Sequence, residues 1–288
     1  MTAAPLRILS LSEYIEHVSP GWSGTPRSLD ACELCQGRSL ECVATTCRVN
    51  NDLRVGYPVM SCRECGLLFQ GLRFPDNFYH NYYARTYKAS VLPPEHTANY
   101  IEDQKTRGNY LYQALMPHLG PSGRVLDIGC SFGGLLVAFR NAGWEPFGCD
   151  PDIGSVETGR EQLGLNLTVQ SAEFLDYRDE FDLVIITGSL EHVADLERSI
   201  GQSLLALKEG GLILIEGWAL AQAAITGQFG HNQKRYFNQQ SLRSLFRLHG
   251  IENVFIRRED LCGPSRPGST FALGRRNAVL KTARPALV

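Results

Sequence analysis

The sequence predicts an α/β fold with a mostly parallel sheet, preceded by a small cysteine-rich lobe. Three observations lead there. Between residues 123 and 217, short apolar runs alternate with helical patterns five times. The first run, Val125-Leu126-Asp127-Ile128, opens into a glycine loop, Gly129 to Gly134, and then a helical stretch from Leu135. That order is the opening unit of a nucleotide-binding domain. Ahead of it stand two Cys-x-x-Cys pairs, Cys32/Cys35 and Cys62/Cys65.

The 288 residues divide into an irregular lead-in (1–30), a metal-binding lobe with an aromatic linker (31–95) and a nucleotide-binding domain (96–288). At 43% hydrophobic residues the chain can bury a large core. A net charge of −2 gives no basic field for nucleic acid. The N-terminus lacks a leader pattern, and no run is apolar enough to span a bilayer. The expectation is a cytoplasmic monomer or homodimer without membrane insertion.

Six of the nine cysteines lie between Cys32 and Cys65, which in a reducing compartment points to metal before disulfide. Each knuckle turns two thiolates the same way. Cys32, Cys35, Cys62 and Cys65 together suit one tetrahedral zinc ion. Twenty-six residues separate the knuckles, room for a hairpin whose returning strand is Arg54 to Met60. Cys42 or Cys47 could replace a ligand. Four sulfurs leave no open position, so the metal reads as structural. The aromatic run Phe78 to Tyr87 follows. It packs the lobe onto the next domain, or it brings Tyr83 and Tyr87 to a substrate.

Ile101 to Leu119 reads as a helix. The loop spacing D-x-G-x-x-x-G-G from Asp127 fits neither the dinucleotide fingerprint nor a P-loop. A second strand, Glu145 to Cys149, ends at Asp150 about twenty residues past the loop, where a right-handed crossover puts an acid beside a ribose. Asp152 reads as a helix cap. Leu167 to Val169 is a third strand. Phe181 to Thr187 is a central one, running into Gly188-Ser189-Leu190-Glu191-His192-Val193 on the ligand side of the sheet. Ala194 to Leu207 is helical, Leu212 to Trp218 is the fifth strand, and 218–237 is a long connection expected to act as a lid. Leu242 to Leu248 is a helix, and 251–258 and 269–273 are the final strands.

The glycine loop, the Leu-Glu-His-Val turn, the Lys208-Glu209-Gly210-Gly211 turn and the double knuckle together resemble class I S-adenosylmethionine (SAM)-dependent methyltransferases. The likeness is to bacterial ones that modify sugars, glycans or secondary metabolites and carry an N-terminal zinc lobe closing over the site. It implies a Rossmann-like sheet with helices on both faces and an antiparallel last strand. It also implies SAM bound by Asp127, Gly129, Cys130, Gly133, Asp150, Pro151, Ser171, Ala172, Gly188 and Leu190. Ser171 stands where the family usually has an acid. His192 and His231 are the candidate bases, and Glu191, Trp218 and Tyr236 join the tyrosines as candidate acceptor contacts. Lys234 and Arg235 could hold a phosphate or carboxylate on the acceptor, or sit in water. The expected reaction is methylation of O or N, before C, on a small-molecule or glycan acceptor. Two rivals are an RNA methyltransferase gripping through its zinc lobe and a silent SAM-fold partner protein.

Overall fold

The computed structural model describes residues 7–82 and 94–277. The N-terminal lobe is built from short strands: β1 (Arg7–Leu9), β2 (Arg27–Ser28), β3 (Leu40–Ala44), β4 (Cys47–Arg48), β5 (Leu53–Val55), β6 (Val59–Cys62), β7 (Leu68–Gln70) and β8 (Leu72–Arg73). Residues 7–30, expected to be irregular, hold β1, β2 and helix α1 (Leu11–Val18). The signal for α1 was present. Ser10 and Glu13 form a capping box, each side chain satisfying the other's backbone N–H. The expected returning strand is split. β6 pairs antiparallel with β3, whereas β5 lies between β1 and β4 in a separate sheet. Helix α2 (Asp76–Tyr82) starts the aromatic linker, and the Phe74 and Phe78 rings stack 4.1 Å apart beneath Trp22. Tyr83 and Tyr87 lie outside the described residues.

The larger domain opens with α3 (Thr97–Leu115). It continues through β9 (Arg124–Ile128), α4 (Leu136–Asn141), β10 (Glu145–Asp150), α5 (Ile153–Leu163), β11 (Asn166–Val169), β12 (Phe181–Thr187), α6 (Leu196–Ala206) and β13 (Leu207–Gly217). Helix α7 (Ala219–Thr226), β14 (Arg235–Tyr236), α8 (Gln239–His249), β15 (Ile251–Arg258) and β16 (Thr270–Arg276) complete it. The seven-stranded sheet has the order β11-β10-β9-β12-β13-β16-β15. β9 to β13 pair in parallel, and β16 runs antiparallel to both its neighbours. Pairing starts outward from β9 in both directions, which places a topological switch between β9 and β12. The central strands are buried on both faces: Leu183, Val184, Ile185 and Ile213 are at 0% exposure. β13 begins at Leu207, and the expected turn at 208–211 is a register irregularity inside the strand.

The two lobes share structure. Cys32, Cys62, Cys65, Leu67 and Phe69 belong to the same buried cluster as Leu126, Phe147, Ile186 and Leu245. Residues 218–237, expected as a lid, contain α7 and β14. β14 is hydrogen-bonded antiparallel to β7, with Arg235 opposite Phe69 and Tyr236 opposite Leu68. The connection therefore supplies the edge strand of the N-terminal lobe's sheet.

Candidate functional site

Gly129 leaves β9 with φ +77°, and a Cβ there would meet Ser189 Cβ at 2.3 Å. Only glycine takes this backbone and this approach. The loop is tied to the next strand, since the N–H groups of Gly129 and Cys130 both donate to the Cys149 carbonyl at 2.8 and 3.0 Å. Asp150 sits at the end of β10. Its Oδ2 accepts from Ser131 N at 2.8 Å and its Oδ1 from Asp152 N at 2.9 Å. Asp152 caps α5 through Ser155 N, as expected. Pro151 is exposed, Cys130 is buried, and Gly133 closes the loop onto the Cys130 carbonyl at 2.9 Å.

Below the loop lies Asp127, and facing it Arg107, which the sequence reading missed. Asp127 is 2% exposed, and its Oδ1 has no hydrogen-bond partner among the described residues. Burial pushes its carboxyl up to about 7, against the opposing pull of Arg107. Arg107, on α3, is 3% exposed; its Nε holds Asp103 at 2.9 Å while its Nη2 has no partner among the described residues. A signal did exist. Residues Ile101, Gln104, Gly108, Leu111 and Leu115 form one buried stripe of α3, and Arg107 is the ion placed within it. Gln104 binds the loop directly, donating to the Cys130 carbonyl at 3.0 Å.

Ser171 and Ala172 begin a short 3-10 turn after β11, with Ala172 buried. Glu173 follows and accepts the N–H groups of Ala194 at 2.7 Å and Asp195 at 3.3 Å. This acid fastens the 171–174 turn to the segment after β12.

The turn after β12 carries the candidate catalytic groups. Gly188 lies under Arg266, whose Nη1 would be 2.7 Å from a Cβ there. Leu190 is fully buried. Glu191 is 1% exposed and accepts Ala219 N at 2.7 Å, and burial pushes its carboxyl up to about 8. His192 Nδ1 is 2.8 Å from the Asn232 carbonyl. A carbonyl can only accept, so Nδ1 carries the proton and Nε2 holds the lone pair in the neutral ring. Burial, reinforced by Lys234, lowers His192 to about 4.

His231 is held by the N-terminal lobe. Its Nδ1 lies 3.0 Å from the Tyr14 hydroxyl, and its carbonyl accepts from Tyr57 at 3.0 Å and from Gln70 at 2.8 Å. The Tyr82 ring meets it edge-on at 5.5 Å. Burial lowers His231 to about 3.

Three candidate acceptor contacts are placed differently from expectation. Tyr236 is fully buried, with its hydroxyl on the Gly230 carbonyl at 2.9 Å. Arg235 is at 0% exposure and bonded inside the protein, which removes it from solvent and from an anionic acceptor. Lys234 is 1% exposed; its ammonium donates to the His192 carbonyl and lies 3.7 Å from the centre of the Tyr79 ring. Strand period two hid these burials, because β14 was not legible as a strand. Trp218 remains partly exposed at the start of α7, with Arg266 stacked 5.2 Å above its ring.

In the N-terminal lobe, the sulfurs of Cys32, Cys35, Cys62 and Cys65 all lie within 4.8 Å of one another. Cys32–Cys65 is 3.5 Å and Cys35–Cys62 is 3.6 Å. A tetrahedron of ~2.3 Å zinc–sulfur bonds has edges of about 3.8 Å, so the four thiols fit one zinc ion. Cys42 is exposed and Cys47 lies in a different cluster, so neither competes for the ion.

Strand order, glycine loop and acid-tipped second strand together define a nucleotide-binding α/β domain of the methyltransferase kind. Residues 100–256 match the methyltransferase domain family, and the chain belongs to that family. Among curated proteins it is similar to the ubiquinone biosynthesis O-methyltransferase of Bradyrhizobium sp. (strain ORS 278). The identity is 29% over 113 residues, which cover 36% of this chain and 45% of that protein. The protein of the same name from Nitrobacter winogradskyi is 30% identical over 95 residues, covering 31% and 36%. The chain thus spans about half the length of the curated relatives it matches. Two solved structures show the same fold. One is a chain of the complex between the Haloferax volcanii Trm112 methyltransferase activator and a methyltransferase (TM-score 0.51, 15% identity, 62% of this chain and 94% of that one). The other is a protein of Pyrococcus horikoshii (TM-score 0.50, 17% identity, 67% and 97%). No helix among the described residues is long and apolar enough to cross a membrane.

Proposed function

We propose that this chain is a SAM-dependent methyltransferase acting on a hydroxyl, or secondarily an amine, of a small-molecule acceptor. The observation that carries the reading is the opposed pair of unspent groups at the glycine loop, Asp127 Oδ1 and Arg107 Nη2. A buried carboxyl oxygen and a buried guanidinium nitrogen, each without a partner among the described residues, suit the ammonium and carboxylate of a methionine moiety. Asp150, at the end of β10 beside the glycine loop, would take the ribose hydroxyls. Gly129, Cys130, Gly133 and Pro151 would line the path between them, with Ser171, Ala172, Gly188 and Leu190 around the base and the sulfonium.

SAM supplies a methyl group on a sulfonium. The protein's tasks are alignment and exclusion of water. His192 is the better placed base, since its Nδ1 bond fixes Nε2 as the acceptor atom. A basicity lowered to about 4 does not deprotonate a free hydroxyl beforehand. It suffices once the oxygen becomes an oxonium on methylation, because that proton is strongly acidic. His231, whose Nδ1 faces a tyrosine hydroxyl that can donate or accept, lacks this fixed tautomer. Glu191 and Trp218 would border the acceptor. Relatives named as O-methyltransferases support oxygen as the acceptor atom. Zinc would be held by Cys32, Cys35, Cys62 and Cys65 as a closed structural site.

The test is calorimetric titration with SAM and S-adenosylhomocysteine, with metal content read on the same sample. It is followed by a turnover screen on catechols, sugars and amines. Micromolar binding, one zinc per chain and turnover on a hydroxyl compound are expected. A folded sample that binds neither nucleotide overturns the reading.

A further inference from the structure

Glu33 lies inside the first knuckle, between Cys32 and Cys35, yet its carboxylate points away from the sulfurs to two arginines. Oε1 accepts Arg73 Nη2 at 2.8 Å and Oε2 accepts Arg235 Nη2 at 2.8 Å. The two terminal nitrogens of Arg235 also reach the turn after β12. Nη1 donates to the carbonyls of Leu190 at 3.2 Å and Val193 at 2.6 Å, and Nη2 also reaches that of Ala194 at 3.3 Å. Three carbonyls and one carboxylate around one planar guanidinium make a fixed geometry that an ammonium on a flexible stem cannot copy. The bonds are water-excluded, with Arg235 at 0% and the Glu33 side chain at 16% exposure. They span 202 residues of sequence.

We propose that Glu33 and Arg235 form a strut through which the cysteine cluster, once it holds its ion, sets the Leu190–Ala194 turn that carries Glu191 and His192. Two sulfurs fixed on one ion fix the backbone between them, and Glu33 is in that backbone. Its carboxylate then fixes the guanidinium, and the guanidinium fixes the three carbonyls. Arg235 is a positioning residue, and the metal reaches the turn without touching any reactant. The lobe has a second attachment in Asn238, which donates to the Gly66 carbonyl of the other knuckle at 2.7 Å. Loss of the strut therefore loosens the turn, which its other bonds still hold, without freeing the lobe. The catalytic meaning of the strut rests on reading that turn as part of the methyl-transfer site; the mechanical coupling does not.

The decisive variant is Glu33→Gln. A carboxamide is uncharged and offers one acceptor oxygen, its NH₂ facing the other arginine, so both ion pairs and one of the two hydrogen bonds are lost while the volume stays. Hydrogen–deuterium exchange of the free protein reads the turn through the N–H groups of His192, Ala194 and Asp195, which are bonded within the fold. The expected result is one zinc per chain as in the wild type, exchange at 190–195 faster by about tenfold, and exchange in β12 unchanged. Arg235→Lys should give the same local pattern. Chelating the metal from the wild type should speed exchange of the same peptide. Unchanged exchange at 190–195 in Glu33→Gln with zinc retained overturns the strut. Unchanged exchange there in the metal-free wild type overturns its link to the ion. If the turn loosens as stated but the protein binds no nucleotide, the methyltransferase reading fails and the strut stands.

Discussion

Glu191→Gln should make the protein more stable at alkaline pH than at acid pH, relative to wild type. Glu191 is 1% exposed, accepts one backbone N–H from Ala219, and has its carboxyl raised from 4.5 to about 8. The folded state therefore keeps a proton that the unfolded chain has released, and stability is lost as pH rises through that window. Linkage puts the cost of ionising or retaining this proton at under ~1 kcal/mol at pH 5 and up to about 4 kcal/mol at pH 8. Glutamine keeps an Oε1 for Ala219 N and carries no titrating proton. The variant should match wild type within ~1 kcal/mol at pH 5 and exceed it by roughly 2–4 kcal/mol at pH 8. Asp127, raised from 3.8 to about 7, adds a slope of the same sign to both proteins and cancels in the comparison. Urea denaturation followed by tryptophan fluorescence at pH 5, 6, 7 and 8 measures both curves. If the two proteins lose stability in parallel across that range, Glu191 is ionised in the fold and the reasoning fails.

Asp150→Asn should weaken S-adenosylhomocysteine binding by about ten- to a hundredfold, read by calorimetry, and unchanged affinity removes the ribose assignment. Arg107→Met should weaken it similarly and raise the Asp127 carboxyl further, because its one opposing charge is gone; full affinity would remove Arg107 from the cofactor site. His192→Ala should lower turnover far more than nucleotide affinity. With His192 at about 4 and His231 at about 3, neither should give an inflection in the rate profile between pH 5 and 8. Gly108→Ala places a Cβ 2.3 Å from the Leu135 carbonyl and should cost about 1–3 kcal/mol, seen as a lower melting temperature.

Much of the fold was legible, since parallel strands buried on both faces announce themselves as apolar runs and the glycine loop marks the first crossover. Gly129 shows why that loop reads so clearly, as its backbone and its contact with Ser189 both demand glycine. The four clustered cysteines were legible through their two-residue spacing. What stayed hidden was long-range pairing. Arg235 and Tyr236 look like polar loop residues until β14 is seen against β7, and two residues of strand carry no periodic signal. Arg107 was visible as an ion on an apolar stripe, but nothing local says which acid it faces. Glu33 was hidden behind the motif it sits in, because a knuckle directs the eye to its sulfurs.

The strand exchange between lobes also bears on how the chain is made. A ribosome releases β7 long before residues 235–236 exist. Until they do, the far edge of β7 presents open backbone groups beside an incomplete apolar cluster. The knuckles can gather their ion early, for both lie in the first quarter of the chain, but the lobe around them waits on the last third. Its completion thus waits on synthesis of the domain it packs against, and a nascent chain stalled within β13 would have both knuckles yet expose an unpaired strand edge. Tying the two lobes by a late strand, rather than by a linker alone, makes half-built copies visible to quality control and complete ones indivisible.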